Sequence, residues 1–204
     1  MSVNALEEFK ELLKLIAPLL KGYGYSRRGQ NFYVRRDGNW GLMNFQKSQS
    51  STKDRVAFTV NLGVYSQVLA RFYYKWKEGS PPKESACHWR ERVGFLLPEN
   101  QDHWWVIDAS TLLSSLVKEF EVILPLAVST IENYITDEAL RDLLLSGNNA
   151  GFTNYVRLEN LSVLVKRYGP YDILDFILAE LRNSGVDHVV EGHIERLKGL
   201  KAHG

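Results

Sequence analysis

Hydrophobic and polar residues alternate strictly along one segment in the first half of the chain. Between residues 56 and 64 the even positions are Val, Phe, Val, Leu and Val, with Ala, Thr, Asn and Gly between them. Because neighbouring strand residues point to opposite faces, this period of two predicts a β-strand with one apolar face and one more polar face. A second strand is predicted around residues 44–48, joined to the first by the polar loop from Gln49 to Arg55.

The residues around this strand pair predict one helix followed by a meander of strands. Apolar residues recur at helical spacing from Asn4 to Lys21, and Asn4 is a suitable N-cap. Asp37-Gly38-Asn39 predicts a hairpin, because Asp and Gly tolerate the positive φ of tight hairpin turns. The predicted strands are Tyr25–Arg28 with Asn31–Arg36, Trp40–Ser48, Arg55–Tyr65, His88–Leu97 and His103–Ile107.

Helical periodicity predicts a short helix from Gln67 to Trp76 and dominates the chain from Ser110 onward. Pro125 either starts a new helix or kinks the preceding one. Further helices are predicted at about 137–145, 154–168, 171–183 and 187–200. A run of strands followed by a run of helices favours an α+β fold, with an antiparallel sheet of about five strands packed against helices on one face. The turn-rich segment 146–151 predicts a boundary between a sheet domain, 1–147, and a helical C-terminal extension, 148–204.

Composition places the chain among globular proteins and adds an uneven distribution of charge. Cys87 is the only cysteine, which excludes an intramolecular disulfide and fits a reducing compartment. No apolar run approaches the length of a membrane helix, so we expect a cytoplasmic protein that does not insert into membranes. Residues 1–100 hold 16 Lys and Arg against 9 Asp and Glu, whereas residues 101–204 hold 9 against 15. One consequence would be that the acidic helical extension, residues 137–204, docks on the basic sheet domain, either in the same chain or in a neighbouring chain of a homodimer. Alternatively, the acidic residues only solubilise the helices.

An ordered set of short motifs resembles a known family. The motifs are Tyr23-Gly24-Tyr25, Asn44-Phe45-Gln46-Lys47-Ser48, Phe58-Thr59-Val60-Asn61-Leu62-Gly63-Val64, Trp89-Arg90-Glu91-Arg92-Val93-Gly94 and Trp104-Trp105. Together they resemble a family of bacterial proteins catalogued as a domain of unknown function, number 4304. The resemblance covers about residues 6–120 and excludes the segment after about residue 148. It implies a bacterial protein and transfers no catalytic residues.

The more polar face of the predicted sheet is the candidate binding surface. If the apolar side of the second strand packs under helices, Thr59, Asn61 and Tyr65 point away from them, and Arg90 and Arg92 lie opposite Glu91, Val93 and Phe95. Lys47 or Gln46 should face the same way, with Trp104 or Trp105 beside them. Arginines beside an aromatic ring can hold an anion or a planar group. The candidate ligand-binding residues are Lys47, Asn61, Arg90, Arg92, Trp104 and Trp105.

This constellation predicts a non-catalytic protein that binds a protein partner or a small anionic ligand on the sheet. The alternative is a solvated face whose long side chains cover apolar surface. Nucleic-acid binding is less favoured, although Arg71-Phe72-Tyr73-Tyr74-Lys75-Trp76-Lys77 interleaves basic and aromatic residues. Such modules usually carry a strong net basic charge, whereas this chain has a formal net charge of +1.

Enzyme hypotheses have weaker support in the sequence. His103 and Asp108 flank the tryptophan pair and offer a general base with an orienting carboxylate for a hydrolase or transferase, although alternation separates them. No glycine-rich phosphate loop or nucleophile elbow is present, so neither a cofactor nor a metal is implied. His188 and His193 are five residues apart, unlike a zinc-protease pair, and are expected on a helix surface. Cys87 and His88 are adjacent, and the cysteine is expected to be buried.

Overall fold

The computed structural model describes residues 4–73 and 79–201. In order along the chain, its strands are β1 (Ser26–Arg28), β2 (Asn31–Arg36), β3 (Asn39–Lys47), β4 (Val56–Tyr65), β5 (Trp89–Arg92) and β6 (Trp105–Ile107). Its helices are α1 (Ala5–Gly22), α2 (Gln67–Tyr73), α3 (Leu113–Tyr134), α4 (Asp137–Leu145), α5 (Asn154–Tyr168), α6 (Leu174–Ser184) and α7 (Asp187–Lys198). The predicted α+β class is therefore confirmed. The predicted continuation of α2 to Trp76 lies outside the described residues.

The sheet is antiparallel and is organised around β4. Its order is β1-β2-β3-β4-β5, and β6 also pairs with β4. One side of β4 pairs with β3 along most of its length, from Phe58 to Tyr65. The other side is shared, because β6 pairs with the beginning of β4 and β5 pairs with its last part. The long alternating segment of the sequence is thus the central strand.

The turn between β2 and β3 confirms the predicted hairpin. Asp37 and Gly38 connect the two strands and both have positive φ, 48° and 90°. Two consecutive positive φ angles suit the right-handed twist of the flanking strands, which is why Asp-Gly is favoured there. The turn fixes the register of β2 against β3.

The predicted strand from His88 to Leu97 is shorter than expected. Only Trp89–Arg92 pairs with β4, and Val93–Leu96 forms a turn of 3₁₀ helix. Gly94 allows this turn to approach the next loop, since a Cβ atom there would lie 2.3 Å from the carbonyl oxygen of Gln101. The strand alternation therefore ends at Arg92, and it does not determine on which face of the sheet Val93 and Phe95 lie.

The apolar face of the sheet packs against α1 and α3. Phe58 of β4 lies 5.1 Å, ring centre to ring centre, from Phe9 of α1 and 6.1 Å from Phe120 of α3. Phe45 of β3 stands 5.5 Å from the same Phe120 ring. Helix α3 continues through Pro125, so this proline does not start a new helix.

The second face of the sheet is partly covered as well. Nine of the ten β4 residues are buried, including those on the more polar side. A smaller cluster of buried residues forms there around Tyr65 and Cys87, the latter preceded by a turn of 3₁₀ helix, Glu84–Ala86. Cys87 lies directly over Gly63, because a Cβ on that glycine would stand 2.6 Å from the Cys87 sulfur.

The C-terminal helices add their apolar side chains to the main core. Buried residues of α5, α6 and α7, such as Leu164, Leu181 and Val190, belong to the same hydrophobic cluster as those of the sheet. The proposed division after residue 147 stays a prediction. Within the described residues, no helix is both long and apolar enough to cross a membrane.

A buried polar network ties these elements together. One carboxylate oxygen of Asp137, at the start of α4, accepts hydrogen bonds from the Ser66 hydroxyl at 2.5 Å and the Asn39 side chain at 3.1 Å. The other oxygen accepts from the Tyr168 hydroxyl of α5 at 2.9 Å. Asp137 thus joins the start of β3, the residue after β4 and two helices, and it supplies an acceptor to three side-chain donors.

Replacing Asp137 with Ala should lower the free energy of unfolding by about 3 kcal/mol, because three donors lose their acceptor. Urea denaturation measures the change. Glu138→Ala is the matched control, since Glu138 occupies the same first turn of α4 but is exposed. It should cost less than about 1 kcal/mol. Equal losses in the two variants would contradict a structural role for the network.

Replacing Gly63 with Ala should destabilise the protein by about 1–3 kcal/mol, because the new methyl group would collide with Cys87. Gly192→Ala is the opposite case. Gly192 lies inside α7, and a Cβ there meets nothing within 4 Å. Its replacement should stabilise the helix by up to about 1 kcal/mol. Thermal unfolding of both variants would test the contrast, which fails if Gly63→Ala is tolerated as well.

Candidate functional site

Three of the predicted binding residues lie together on the second face of the sheet. Asn61 of β4 pairs with Arg92 of β5, and Gly63 pairs with Arg90, so both arginines share the face of Asn61. The three side chains line one cleft of about 360 Å³. Gln46 of β3 lines it too, and its side-chain oxygen accepts a hydrogen bond from the Asn61 amide at 2.7 Å.

Lys47 does not face this cleft, so that prediction was wrong. It pairs with Phe58, whose ring belongs to the main core, and therefore lies on the helix-covered face. The Lys47 amine stands 5.6 Å from the centre of the Phe9 ring of α1. Lys47 ends β3, where a long side chain can extend past an aromatic edge. Its neighbour Gln46, the other residue considered, takes the position facing the cleft.

The two tryptophans also lie in different environments, one in the core and one beside the cleft. Trp105 pairs with Phe58 and is buried in the core, where its indole N–H donates to Glu119 at 2.7 Å. The prediction of Trp105 beside the binding face was therefore wrong. Trp104 is 37% exposed and contacts Arg92 instead. Its ring lies 5.5 Å from the Arg92 guanidinium carbon, at the rim of the cleft.

Arg92 is held by a compact group of neighbours. Its guanidinium donates to the Asp102 carboxylate, which also accepts from the Trp104 indole N–H at 3.0 Å. Partial burial opposes ionisation of Asp102, but the hydrogen bonds from Arg92 and Trp104 outweigh it and hold the pKa of Asp102 below its ordinary value. Asp102 thus aligns the guanidinium along the indole face.

Arg90 is anchored by the segment that follows α4. Its backbone N–H donates to the carbonyl oxygen of Ala150 at 3.0 Å, and its guanidinium carbon lies 4.9 Å from the centre of the Phe152 ring. Glu84 forms an ion pair with it at 3.5 Å. The buried Nε atom of Arg90 has no hydrogen-bond partner among the described residues. One donor of this arginine is therefore buried and unsatisfied.

The cleft contains acidic as well as basic groups. Glu84 and Glu91 line it with the two arginines, as do Phe95 and Gly151. Burial raises the pKa of Glu91 above its ordinary value. The cleft is therefore close to neutral and presents both donors and acceptors. Alternation did not reveal Phe95, because the strand ends before it, and Gly151 comes from a distant part of the sequence.

The structure does not assemble His103 and Asp108 into a catalytic pair. The Asp108 carboxylate accepts from the backbone N–H and hydroxyl of Ser110, at 2.9 and 2.6 Å, and these bonds lower its pKa. The His103 ring instead packs 4.4 Å from the Trp105 ring. No hydrogen bond or ion pair joins the two side chains, both of which are described.

Cys87 is buried, as predicted, and burial raises the pKa of its thiol. His88 is buried as well, and its Nδ1 atom accepts the backbone N–H of Ser66 at 3.1 Å. Ser66, His88 and Asp137 are thus neighbours, but the Ser66 hydroxyl bonds to the carboxylate rather than to the imidazole. A serine nucleophile needs the opposite arrangement.

His193 was expected on a helix surface, and this expectation was wrong. It is fully buried between α5 and α2, and its Nε2 atom lies 2.8 Å from the Ser162 hydroxyl. The Ser162 hydroxyl also donates to the backbone carbonyl of Glu159 at 2.8 Å. The Glu159 carboxylate stands 3.7 Å from the other ring nitrogen. The serine proton is already engaged, and the group packs the helices.

The fold and the cleft define an α+β protein with a polar cleft on its sheet. A family model described as a domain of unknown function, DUF4304, matches residues 16–125. The chain belongs to this family, as its motifs suggested. No curated protein and no solved structure matches it significantly. Among the described residues, no group of three His, Cys, Asp or Glu side chains is arranged to hold a metal ion.

The buried histidines predict a loss of stability in acid. Burial lowers the pKa of His88 to about 3 and that of His193 to about 4. The unfolded chain, with histidine pKa values near 6.5, takes up protons that the folded state does not. The contribution of these histidines to the free energy of unfolding is therefore complete above pH 6.5. It is lost as the pH falls towards 4, at up to about 1.4 kcal/mol per pH unit for each histidine.

Urea unfolding between pH 7.5 and 4.5 measures how the free energy of unfolding changes with pH, and this slope gives the number of protons taken up on unfolding. His193→Gln should reduce that number by up to one. The pKa of Glu159, raised by burial, opposes the effect at the acidic end. His188→Gln is the control, because His188 is exposed on the same helix and should leave the slope unchanged. An unchanged slope in the His193 variant would contradict this account.

Proposed function

We propose that this protein is a non-catalytic binding protein, and that the cleft of Gln46, Asn61, Arg90 and Arg92 receives an acidic side chain of a protein partner. The carrying observation is the convergence of Asn61, Arg90 and Arg92 on one cleft beside the exposed ring of Trp104. Arginine and tryptophan are enriched among the residues that dominate protein–protein binding energies.

The charges of the cleft favour a protein surface over an isolated anion. Arg90 and Arg92 already have carboxylate partners in Glu84 and Asp102. Both pairs are about one third exposed, and such ion pairs stabilise proteins by only about 0–1 kcal/mol, so an incoming carboxylate can share or replace these partners. A free anion gains little from this exchange, whereas a partner protein adds apolar contacts with Phe95 and Trp104.

The exposed aromatic rings extend the surface beyond the cleft. Phe95 is 44% exposed and lines the cleft, while Trp104 stands at its rim. Their burial by a partner would exclude water from the arginines and strengthen the charge-assisted hydrogen bonds. The amides of Gln46 and Asn61 supply further polar contacts. This combination of a polar centre and aromatic neighbours supports recognition rather than chemistry.

The test begins with a photoreactive benzoylphenylalanine in place of Phe95, used in cells that produce the protein naturally. A partner crosslinked at this position is then purified, and its affinity for the wild-type chain is measured by calorimetry. Arg92→Gln and Trp104→Ala should each weaken binding by about 10-fold or more, because both remove an interface anchor.

Arg35→Gln is the matched control. Arg35 lies on the same face of the sheet and also stacks on a tryptophan, 5.6 Å from the centre of the Trp40 ring, but it is far along the sheet from the cleft. It should leave the affinity unchanged. A partner that binds the double variant Arg90→Ala, Arg92→Ala as tightly as the wild type would refute the proposal, as would the absence of any crosslinked partner.

A further inference from the structure

A cavity of about 270 Å³ lies between α5 and the segment that precedes β5. Its described walls include Tyr73 at the end of α2, Phe152 just before α5 and Val156 within α5. Asn160 and His88 line it too. The described lining of this cavity and that of the cleft on the sheet share no residue. We call it the α5 cavity.

The carboxamide of Asn160 belongs to this cavity. The residue is only 3% exposed, yet its side chain forms no hydrogen bond with any residue that the structure describes. It stands one helical turn after Val156, on the face of α5 that lines the cavity. Buried polar side chains nearly always have partners, because burial removes their hydrogen bonds to water. A partner for the amide must therefore come from the cavity.

His88 supplies a second polar group. Its Nδ1 atom accepts the backbone N–H of Ser66 at 3.1 Å, and burial keeps the imidazole neutral by lowering its pKa to about 3. A neutral imidazole that accepts at one nitrogen carries its proton on the other, so Nε2 is an N–H donor. His88 is 7% exposed, and within the described part of the chain this donor has no hydrogen-bond partner. The cavity that His88 lines is where an acceptor can reach it.

The charges of the α5 cavity balance each other. Among the lining residues that the structure describes, Glu159 and Arg196 are the two that carry charge. Burial raises the pKa of Glu159, whereas a hydrogen bond from Tyr155 and the positive charge of Arg196 oppose this rise. Both residues are less buried than Asn160 and His88. A ligand that reaches the buried amide and imidazole therefore needs no net charge.

We propose that the α5 cavity binds a small, flat, neutral molecule with an amide edge, as in a cyclic amide or imide. The carboxamide of Asn160 offers a donor beside an acceptor, and an N–H next to a C=O on the ligand satisfies both. A further ligand carbonyl accepts from the Nε2–H of His88. Tyr73 and Phe152 offer aromatic surface to a flat body. The volume is close to the lower end of the range for small-molecule sites, about 300–1,000 Å³, which favours a ligand of one or two rings.

The test uses the full-length protein labelled with nitrogen-15 and two probes, 2-pyridone and uracil. Nuclear magnetic resonance follows the side-chain amide of Asn160 and the Nε2–H of His88 during each titration. Both signals should shift to saturation with a dissociation constant of about 5 mM or lower, as ligands of this size can reach. The absence of saturable shifts with both probes would overturn the proposal.

Two methylated probes and one anion test the chemistry of recognition. N-methyl-2-pyridone and 1,3-dimethyluracil keep the rings and carbonyl groups but lose the N–H groups that would donate to Asn160. They should bind at least about 10-fold more weakly than the parent compounds, because the buried amide oxygen is left without a donor. Equal affinity of the methylated probes would overturn the proposal. Tighter binding of benzoate, a flat anion of similar size, would do so as well.

Asn160→Leu should raise the dissociation constant of 2-pyridone by about 10-fold or more. The midpoint of urea unfolding should stay the same or rise, because the removed amide has no partner among the described residues. Asn39→Leu is the matched contrast. Asn39 is 2% exposed, but it donates to Ile135 and Asp137 and accepts from the backbone N–H of Gln67, so its replacement should lower the midpoint. Equal losses of stability in both variants would refute the proposed role of Asn160.

His88→Asn keeps the test valid if Asn160→Leu folds poorly. An asparagine oxygen can accept the Ser66 N–H in place of Nδ1, but asparagine has no donor at the position of Nε2. The variant should weaken uracil, which has two carbonyl groups, more than 2-pyridone, which has one. His188→Asn, on the exposed side of α7, should change neither affinity. An unchanged affinity of His88→Asn for uracil would overturn the proposal. None of these variants alters a residue that lines the cleft on the sheet, so this test is independent of that of the proposed function.

Discussion

Burial of the central strand on both of its faces determines the rest of the structure. β4 is buried at nine of its ten positions, so each face must find its own cover. The apolar face takes α1 and α3, and the other takes α2 and the segment around Cys87. Gly63 lies where the Cys87 sulfur contacts β4, and the close packing there leaves no room for a side chain. The cleft lined by Arg90 and Arg92 is the part of the second face that this cover leaves open.

Local periodicity in the sequence was sufficient to predict the strands and part of the candidate site. Asn61, Arg90 and Arg92 were placed correctly, because strand alternation and antiparallel pairing are local rules. Lys47 is two residues from Phe45, so strand alternation places both side chains on the helix-covered face. The charge of Lys47 argued misleadingly against that position. Trp104 and Trp105 have the same hydropathy, and only the pairing with Phe58 separates them. Glu84 and Gly151 reach the cleft through long-range packing, which no sequence period encodes.

The direction of hydrogen bonds distinguishes structure from chemistry in this protein. Two groups of Ser, His and acidic side chains meet in its interior, around Ser66 and around Ser162. In both, the serine proton goes to an oxygen and not to the imidazole, so neither hydroxyl is activated for attack. Composition alone does not separate these cases.

The hydrogen bond from the Arg90 N–H to the Ala150 carbonyl also has a bearing on association between chains. β5 ends the sheet, and an end strand exposes backbone groups that invite another strand to pair with it. Ala150, in the left-handed conformation with a φ of 53°, turns its carbonyl towards this edge and occupies one of those groups. Ala150 lies outside the part of the chain that matches the family, residues 16–125. The segment after α4 therefore occupies one of the backbone groups through which another strand could pair with β5, in addition to supplying one wall of the cleft.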